Sequence, residues 1–298
     1  MADGPPHPAE CQDCVVCHAL TGMIAMTPDP IDAHVLHAQA GIATFEHLDE
    51  VETTMDRARA LAADPATLLP ALVVADRQVR GRGRRGARWW QPDGALVASL
   101  VLDAGVVAGS PIRPAWSLAC GVALAEALGS VEPGLAPRVR WPNDIEIGGG
   151  KLAGILVETV SDGRVIFGFG VNTAGSAADA PVGIARRIAT VPDLIGRPLP
   201  RENLLVAFVP RLIRLLAGMA ADDGLLAARY RPLCGLTGQD VTVYRGLGTG
   251  VAGDTVHGPC LGIDRHGALV LDTVAGRLHV ASGSLSDPAA AWHGEAGA

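Results

Sequence analysis

Two periodicities of apolar residues divide residues 41–231 into strands and helices. Short runs rich in Val, Ile and Leu predict buried strands. Longer Ala- and Leu-rich stretches predict helices, and Pro114 suits the first turn of one of them. The expected strands are 44–48, 71–75, 95–103, 138–141, 152–160 and 165–171, and the expected helices are 53–63, 114–128 and 202–229.

After Pro232 the pattern changes to short alternating strands. These are expected at 240–244, 255–263, 268–272 and 277–280. Strands this short and closely spaced predict a small β-barrel of about 50 to 60 residues. The chain is therefore predicted to consist of a disordered tail over 1–40, a large domain over 41–231, a small barrel over 232–286 and a loose tail over 287–298.

The first 40 residues are rich in proline and contain a cysteine cluster. The cluster is Cys11, Cys14, Cys17 and His18. Its C-x-x-C-H spacing is that of c-type haem attachment, and the cysteines with His7 or His18 match a zinc ligand set. Haem attachment needs an exported chain, and structural zinc sites normally have two separated ligand pairs. We therefore favour a disordered extension, or a translation start at Met23 or Met26.

Composition indicates an ordinary water-soluble protein. The chain has 298 residues, 49% of them hydrophobic, and a net charge of −7, which disfavours a surface devoted to nucleic acid. It has neither a long uncharged apolar run nor a basic-then-apolar N-terminus, so we expect a cytoplasmic protein rather than a membrane-spanning or exported one. Cys120, Cys234 and Cys260 are expected to be separate core thiols.

Lysine occurs once in the chain. Of the 24 basic residues, all are arginine except Lys151. A compact ammonium on a flexible stem does what a planar guanidinium cannot, so a single lysine suggests a site that requires it. The alternative is one surface lysine left by chance, and Lys151 alone does not decide between the two.

A glycine- and arginine-rich segment joins two of the expected strands. It reads G-R-G-R-R-G at 81–86, with Gln78 before it and Trp89-Trp90 after it. Alternating glycines let the backbone approach a ligand, and arginines supply positive charge for a carboxylate or a polyphosphate. The alternative is an Arg/Gly arm that binds nucleic acid. The segment is unrepeated and belongs to an acidic protein, which favours the first interpretation.

Two further motifs follow. W-P-N-D at 141–144 precedes G-G-G-K-L-A-G-I-L at 148–156, and G-F-G-V-N stands at 168–172. Asn143 and Asp144 offer oxygen ligands for Mg²⁺ and nucleotide, and alternating glycines clear one strand face for a flat ligand. Each motif also has an ordinary structural explanation, a hairpin turn for the first and a barrel corner for the second.

In this order and at these spacings, the three motifs resemble those of the biotin–protein ligase family. The resemblance spans roughly residues 44–285. It implies an α+β fold, with a class II aminoacyl-tRNA synthetase-like mixed sheet and flanking helices, followed by a C-terminal SH3-like β-barrel. It also implies ATP-dependent activation of biotin to biotinyl-5′-AMP and transfer to a specific lysine of a biotin carrier domain of a carboxylase.

The resemblance implies a role for each motif residue. Arg84 and Lys151 would hold the biotin carboxylate and the α-phosphate as catalytic residues. The biotin pocket would contain Thr54, Gln78, Gly81, Arg82, Lys151, Gly154 and Gly168. ATP and the adenylate would contact Arg84, Arg85, Trp89, Asn143, Asp144 and Asn172. Arg85 and Asn172 would assist the phosphates, and Asp144 would bind Mg²⁺. No general base for the acceptor lysine is identified.

Two positions depart from the family pattern. The family usually has Ser-Thr-Asn before the first helix, whereas this chain has Thr53-Thr54-Met55. The hydroxyl of Thr54 is therefore kept and the Asn contact with biotin is lost. Arg80 stands before the Gly/Arg segment, where the family has a small residue. Both departures affect the details of the expected pocket.

Three alternatives accompany this expectation. A lipoate–protein ligase shares the fold and chemistry, but its loop is R-R-x-S-G-G-G, which favours biotin here. A biotin-binding regulator without ligase activity is the second. The third alternative is a ligase that also binds an operator through an N-terminal winged helix. The forty proline-rich residues at the N-terminus are too few for such a domain, so we expect no nucleic-acid partner. Because Lys151 is the only lysine, the acceptor must be another protein. Oligomeric state and the carboxylase served stay open.

Overall fold

The computed structural model describes residues 29–103, 105, 114–160, 163–245 and 254–285. The Cys11, Cys14 and Cys17 cluster and the expected tail from 287 lie outside the described residues. The strands are β1 (Thr44–Val51), β2 (Ala71–Gln78), β3 (Leu96–Asp103), β4 (Arg138–Arg140), β5 (Asp144–Ile147), β6 (Gly150–Thr159), β7 (Arg164–Val171), β8 (Asp240–Tyr244), β9 (Thr255–Ile263), β10 (Leu269–Thr273) and β11 (Gly276–Val280). The helices are α1 (Ala33–Val35), α2 (Thr54–Ala63), α3 (Pro114–Val131), α4 (Val182–Ala185), α5 (Val191–Ile195), α6 (Arg201–Ala221) and α7 (Leu225–Tyr230).

Seven strands form one mixed sheet in the order β1-β2-β3-β7-β6-β5-β4. β1 and β2 are parallel, and every other neighbouring pair is antiparallel. The centre of the sheet is apolar on both faces: β3 buries every residue except Asp103, and β7 buries every residue except Arg164. A strand buried on both faces is a continuous apolar run, which is why these two strands were predictable from sequence.

Helices cover both faces of this sheet. On one face, Met55 and Ala58 of α2 belong to an apolar cluster with Val73 and Ile166 of the strands. On the other face, α3 and α6 pack against each other within the larger core. The expected mixed sheet with flanking helices is confirmed.

The helix expected over 202–229 is two helices. α6 ends at Ala221, Asp222 accepts the backbone N–H of Gly224 at 2.8 Å, and α7 begins at Leu225. By length and composition, α6 is the one helix among the described residues that is apolar enough to cross a membrane. In the fold it is a core helix, because its apolar face is buried against α3.

The folded domain begins before residue 41. α1 and a π-helical turn, Leu36–Ala40, occupy the end of the expected tail, and the side chain of Leu36 is buried. The buried guanidinium of Arg201 donates to Asp29 at 3.1 Å and to Asp76 on β2 at 2.7 Å. These ion pairs attach the N-terminal segment to the sheet and to α6.

The W-P-N-D motif forms the turn after β4 and ends at Asp144, the first residue of β5. β5 begins at Asp144, a strand that the sequence analysis missed because it is only four residues long. The turn Gly148-Gly149 joins β5 to β6 with φ values of +60° and +84°, which glycine adopts without strain. Asp144 comes to lie opposite Gly154, and Glu146 opposite Lys151.

The C-terminal strands form an antiparallel sheet in the order β11-β10-β9-β8. One bridge, between Tyr244 and Ser284, adds the segment after β11 to the free side of β8. Within the described residues these strands form a small sheet, and its closure into the expected SH3-like barrel is not shown. It contacts the large domain, where the Trp141 indole N–H donates to the backbone oxygen of Gly267 at 3.0 Å.

The three cysteines among the described residues are free thiols, as expected. Cys120 is buried in α3, as expected. Cys260 is also buried, whereas Cys234 is partly exposed and its thiol donates to the hydroxyl oxygen of Tyr230 at 3.4 Å. Cys234 follows α7 and forms a bridge to Val139 of β4, whereas Cys260 lies in β9.

Candidate active site

A flat floor of glycines lies near the centre of the large sheet. On β6 and β7, Gly154 is opposite Gly170, and Leu156 is opposite Gly168. The indole of Trp89 lies on the first pair, because a Cβ at Gly170 would come within 2.7 Å of the ring and one at Gly154 within 2.9 Å. Both positions must therefore be glycine for a flat group to rest on these strands.

A buried polar cluster lies at the N-terminus of α2. Gln78 Oε1 accepts the backbone N–H of Thr54 at 2.8 Å, and the Thr54 hydroxyl is 2.8 Å from Ser99 Oγ. Ser99 is opposite Gly168 on the neighbouring strand. Met55 covers that glycine, since a Cβ at Gly168 would overlap the Met55 sulfur. The structure thus brings Thr54, Gln78 and Gly168 together.

Ser99 was missed by the sequence analysis. It is the only hydroxyl in the strand L-V-A-S-L-V-L-D, and it is fully buried. A lone hydroxyl in a buried apolar strand needs a hydrogen-bond partner. That requirement could have marked Ser99 as a candidate site residue in the sequence.

The Gly/Arg segment folds into a closed loop above the strands. An Arg82–Arg88 bridge and a 2.7 Å hydrogen bond from Gly83 N–H to Ala87 O close it. Arg85 lies at the tip with φ +57°, a conformation that side chains other than Asn and Asp rarely adopt. The loop borders a cavity of about 530 Å³. The lining is Arg80, Gly81, Arg82, Gly83, Arg84, Arg85, Gly86, Ala87, Arg88, Leu156 and Glu158. Five arginines against one carboxylate make this cavity suited to an anion.

Arg84 is half-buried, and its guanidinium reaches the W-P-N-D motif. It donates to Asn143 Oδ1 at 3.2 Å and to the backbone oxygen of Gly283 at 3.4 Å. Burial lowers the pKa of Arg84, the charge of Arg85 lowers it further, and Asp144 opposes both. A guanidinium stays charged in proteins, so the site holds a partly desolvated cation.

Lys151 lies on β6 beside the glycine floor. Its ammonium is 2.7 Å from Asp144 Oδ1 and 5.5 Å from the centre of the Trp89 ring. Glu146 belongs to the same cluster, where burial raises its pKa and the charge of Arg140 partly opposes that rise. The structure therefore brings Lys151, Asp144 and Trp89 together, as their order in the sequence suggested.

Arg82 is placed differently from its expected role. Its guanidinium makes two hydrogen bonds to the carboxylate of Asp56 in α2, at 2.9 and 3.0 Å. Asp56 also pairs with Arg59 of the same helix. The charged end of Arg82 thus attaches the loop to α2. Asp56 is a second residue of the site that the sequence analysis missed.

Asn172 also differs from its expected role. It is buried, and its side-chain N–H groups donate to the backbone oxygens of Ala189 at 2.9 Å and Lys151 at 3.4 Å. Its Oδ1 has no hydrogen-bond partner among the described residues. An amide whose donors are occupied and whose free atom is an acceptor cannot assist a phosphate. It can accept an N–H.

The matches to known proteins agree with this geometry. Residues 51–172 match the Biotin/lipoate A/B protein ligase family. The chain is 34% identical over 241 residues to the biotin–[acetyl-CoA-carboxylase] ligase of Paracoccus denitrificans, covering 76% of this chain and 93% of that protein. The chain belongs to the biotin–protein ligase family. It is also 33% identical over 233 residues to the ligase of the same name from Mycobacterium tuberculosis, covering 75% of this chain and 80% of that protein.

Solved biotin–protein ligases share the fold. The biotin protein ligase from Aquifex aeolicus in complex with biotin and ATP has a TM-score of 0.69 at 25% identity, covering 82% of this chain and 98% of that one. The family match, 51–172, contains the N-terminus of α2, the Gly/Arg loop and both glycine-containing strand motifs. The residues gathered around the glycine floor are therefore those of the family domain.

Proposed function

We propose that this chain activates biotin with ATP, forming biotinyl-5′-AMP and pyrophosphate, and transfers the biotin to a specific lysine of a biotin carrier domain of a carboxylase. The observation that carries this proposal is the convergence of Arg84 and Lys151 on Asn143 and Asp144, beside the glycine floor. Adenylation brings a carboxylate oxygen to an α-phosphate, and two anions approach closely only where cations screen their charges.

The ring system of biotin fits the polar cluster at the start of α2. Its ureido group has one oxygen and two N–H groups, which the side chains of Thr54, Ser99 and Gln78 can match with donors and acceptors. Met55 lies on Gly168 and supplies an apolar contact for the ring where the family has Asn. This arrangement directs the valeryl carboxylate toward Arg84 and Lys151.

The adenylate fits beside the Trp89 indole, which rests on the floor formed by Gly154 and Gly170. Trp89 lies over these glycines and would cover the adenylate, while Arg85 at the loop tip would meet the phosphates. The free Oδ1 of Asn172 would accept an N–H of the adenine amino group. This contact replaces the phosphate role first expected of Asn172.

The oxygen donors beside Lys151 fit Mg²⁺ bound mainly through ATP. The described residues contain no group of three or more His, Cys, Asp or Glu that would hold an ion alone, and Asp144 supplies one carboxylate. Mg²⁺ bound with phosphates typically takes one or two carboxylates. Such an ion would neutralise charge on the departing pyrophosphate. Asp144 would then give up its pairing with Lys151, leaving that ammonium for the substrates.

The proposal includes the organisation and location of the protein. We assign 41–231 as the catalytic domain and 232–286 as an SH3-like barrel, supported by the bridge between Tyr244 and Ser284 on the free side of β8. We place the protein in the cytoplasm, supported by the free thiol of Cys120, which suits a reducing compartment. A carboxylase carrier domain of the same compartment would be the acceptor.

Biotin-dependent exchange of pyrophosphate into ATP tests the first half-reaction. Exchange with biotin alone is expected. Exchange with lipoate alone would indicate lipoate–protein ligase chemistry instead. Absence of exchange with both acids would contradict the proposal. Transfer is tested by biotin labelling of a carrier domain, which separates a ligase from a biotin-binding regulator.

Replacing Lys151 with Ala should slow the exchange about 10²- to 10³-fold, because a preorganised charge at the reacting atoms is lost. Lys151→Arg should exchange pyrophosphate only slightly faster than Lys151→Ala, since the planar guanidinium does not reproduce the ammonium. Arg77→Ala is the control, because Arg77 pairs with Glu50 on the exposed end of β2. Normal exchange by Lys151→Ala would show that the lone lysine is incidental.

A further inference from the structure

A row of charged side chains extends from the glycine floor toward the β4 side of the large sheet. Val139, Ile145 and Ala153 are fully buried in the core on the side of α3. Successive side chains of a strand point to opposite faces. The residues next to these, Arg140 and Asp144, therefore lie on the face of the glycine floor. This is the face on which the proposed reaction takes place.

The row consists of two ion pairs. Lys151 Nζ is 2.7 Å from Asp144 Oδ1, and Arg140 donates to Glu146 Oε1 at 3.0 Å. The strand registers place Arg140 opposite Asp144 and Glu146 opposite Lys151. Side chains at directly opposite positions have Cβ atoms roughly 5 Å apart. Arg140 and Glu146, which we call the outer pair, are thus the neighbours of the pair that the proposed reaction uses.

The strand order indicates where the leaving group of adenylation departs. The polar cluster proposed for the biotin ring lies on β2, β3 and the start of α2, and the sheet continues through β7, β6 and β5 to β4. In adenylation a carboxylate oxygen bonds to the α-phosphorus, the bond from that phosphorus to the bridging oxygen breaks, and pyrophosphate leaves with the electron pair. The attacking and leaving oxygens are roughly in line. Because the carboxylate arrives from the β7 side, pyrophosphate leaves toward β5 and β4.

The outer pair lies in that direction. β4 is the last strand of the sheet on this side, and the side chains of Arg140 and Glu146 are 32% and 23% exposed. A planar guanidinium binds phosphate oxygens through two parallel hydrogen bonds. An anion that leaves Lys151 along this path therefore passes Arg140 before it reaches solvent.

We propose that Arg140 binds the pyrophosphate product and that Glu146 competes with pyrophosphate for the Arg140 guanidinium. This assignment rests on the proposed adenylation of biotin. With pyrophosphate bound, Arg140 exchanges Glu146 for phosphate oxygens. When the ion pair with Glu146 forms again, pyrophosphate loses this counter-charge and departs. The carboxylate beside the exit thus lowers the affinity for the product.

Equilibrium binding of inorganic pyrophosphate tests the site without the reaction. Titration calorimetry of the full chain with pyrophosphate and Mg²⁺ gives the dissociation constant. Arg140→Ala should raise it about tenfold, because a charge-assisted interaction is lost. Glu146→Gln should lower it, since the amide keeps the size of the side chain without its negative charge. Equal dissociation constants for the wild type and Arg140→Ala would overturn the assignment, as would absence of binding by the wild type.

A double variant tests whether the two residues act as a pair. If Glu146 competes for Arg140, Glu146→Gln should change the dissociation constant much less in the Arg140→Ala background than in the wild type. An equal gain in affinity in both backgrounds would overturn the competition.

Arg138→Ala is the matched control for Arg140→Ala. It removes the same charge two residues earlier in β4, where the guanidinium donates to the backbone oxygen of Pro232 at 2.8 Å. This variant should bind pyrophosphate like the wild type. A loss of affinity as large as that of Arg140→Ala would show an effect of overall charge and would overturn the assignment.

Kinetics separate this site from the proposed function. Arg140→Ala should raise the KM for pyrophosphate in the exchange reaction about tenfold and leave the KM for biotin unchanged. Transfer from synthetic biotinyl-5′-AMP to a carrier domain involves no pyrophosphate, so Arg140→Ala should transfer at the wild-type rate. Equal slowing of exchange and transfer would overturn the assignment. If the wild type did not exchange with biotin, the proposed function would fail, and the pyrophosphate titration would still decide whether Arg140 binds this anion.

Discussion

A buried polar side chain can do only what its remaining hydrogen-bonding atoms allow. Asn172 and Arg82 were both expected to touch substrates; the amide donors of Asn172 are occupied by backbone oxygens, and two N–H groups of Arg82 bind Asp56. Thr54, in contrast, shares its hydroxyl with Ser99 and keeps the polar pocket that its position suggested. At this scale, residue type was predictable from the motifs, and the direction of each side chain was not.

Asn172→Asp should destabilise the protein by about 3 kcal/mol, because a carboxylate would face the backbone oxygens of Ala189 and Lys151 without a donor. Urea unfolding measures the loss. Asn203→Asp, at an exposed position of α6, is the matched control and should change stability by less than about 0.5 kcal/mol. Similar losses in the two variants would show that the buried amide contacts are unimportant.

At the scale of elements, two paired strands form the site because they have glycines, which carry no side chains, at facing positions. Gly154 and Gly170 are opposite each other on β6 and β7, and the cleared surface is filled by Trp89 from the loop after β2. The indole N–H of Trp89 is buried without a hydrogen-bond partner among the described residues. The position of the Trp89 ring is therefore set by its packing on the two glycines and not by a hydrogen bond of the indole N–H.

Gly170→Ala should slow adenylate formation roughly ten- to hundredfold, because the new Cβ displaces the Trp89 ring from a site where small misplacements are costly. Trp89→Phe in the same chain should recover part of the loss, since a smaller ring relieves the overlap. Gly129→Ala in α3, where a Cβ meets nothing within 4 Å, is the control. Pyrophosphate exchange measures the activity of all three variants. Full activity of Gly170→Ala would contradict the role of the glycine floor in adenylate formation.

The ion pairs of Asp76 make element packing sensitive to acid. Burial alone would raise the pKa of Asp76, but hydrogen bonds from Arg201 and His47 outweigh it and lower the pKa below its ordinary value. A carboxyl with a pKa lowered by folding adds stability above its unfolded-state pKa, about 4, and that stability is lost as pH falls through the folded-state pKa.

Asp76→Asn should therefore destabilise the protein at pH 7, and the difference from wild type should shrink at an acid pH below the lowered pKa of Asp76, where the wild-type carboxyl is protonated too. Urea unfolding at both pH values measures it. Asp223→Asn, at an exposed position between α6 and α7, should show little difference at either pH. If the stability difference between wild type and Asp76→Asn increased in acid, it would contradict this mechanism.

At the scale of the whole molecule, the small C-terminal sheet completes the site. The backbone oxygen of Gly283 accepts hydrogen bonds from Arg84 at 3.4 Å, joining residues 199 apart in the sequence. Gly283 packs against Val243, where a Cβ would overlap the valine side chain, and the same Cβ would lie 3.1 Å from the backbone oxygen of Tyr244. Glycine at this position keeps the acceptor within reach of Arg84.

Gly283→Ala should lower the exchange rate about tenfold, because the shifted segment no longer holds the Arg84 guanidinium. Val274→Ser, a fully exposed change in the same sheet, should leave the rate unchanged. Exchange kinetics and thermal unfolding are measured together. If Gly283→Ala lowers the unfolding temperature without affecting exchange, the contact with Arg84 has no catalytic role.

The sequence by itself determined the family, the motif residues and the strands buried on both faces, because these depend on residue type and on periodicity within a few positions. Lys151 stood out for the same reason, as the single lysine. Only the tertiary structure decided that Gly283 holds Arg84 and that Trp141 donates to Gly267. These contacts arise where two separately patterned sheets pack together, and local periodicity carries no information about which of their residues will face each other.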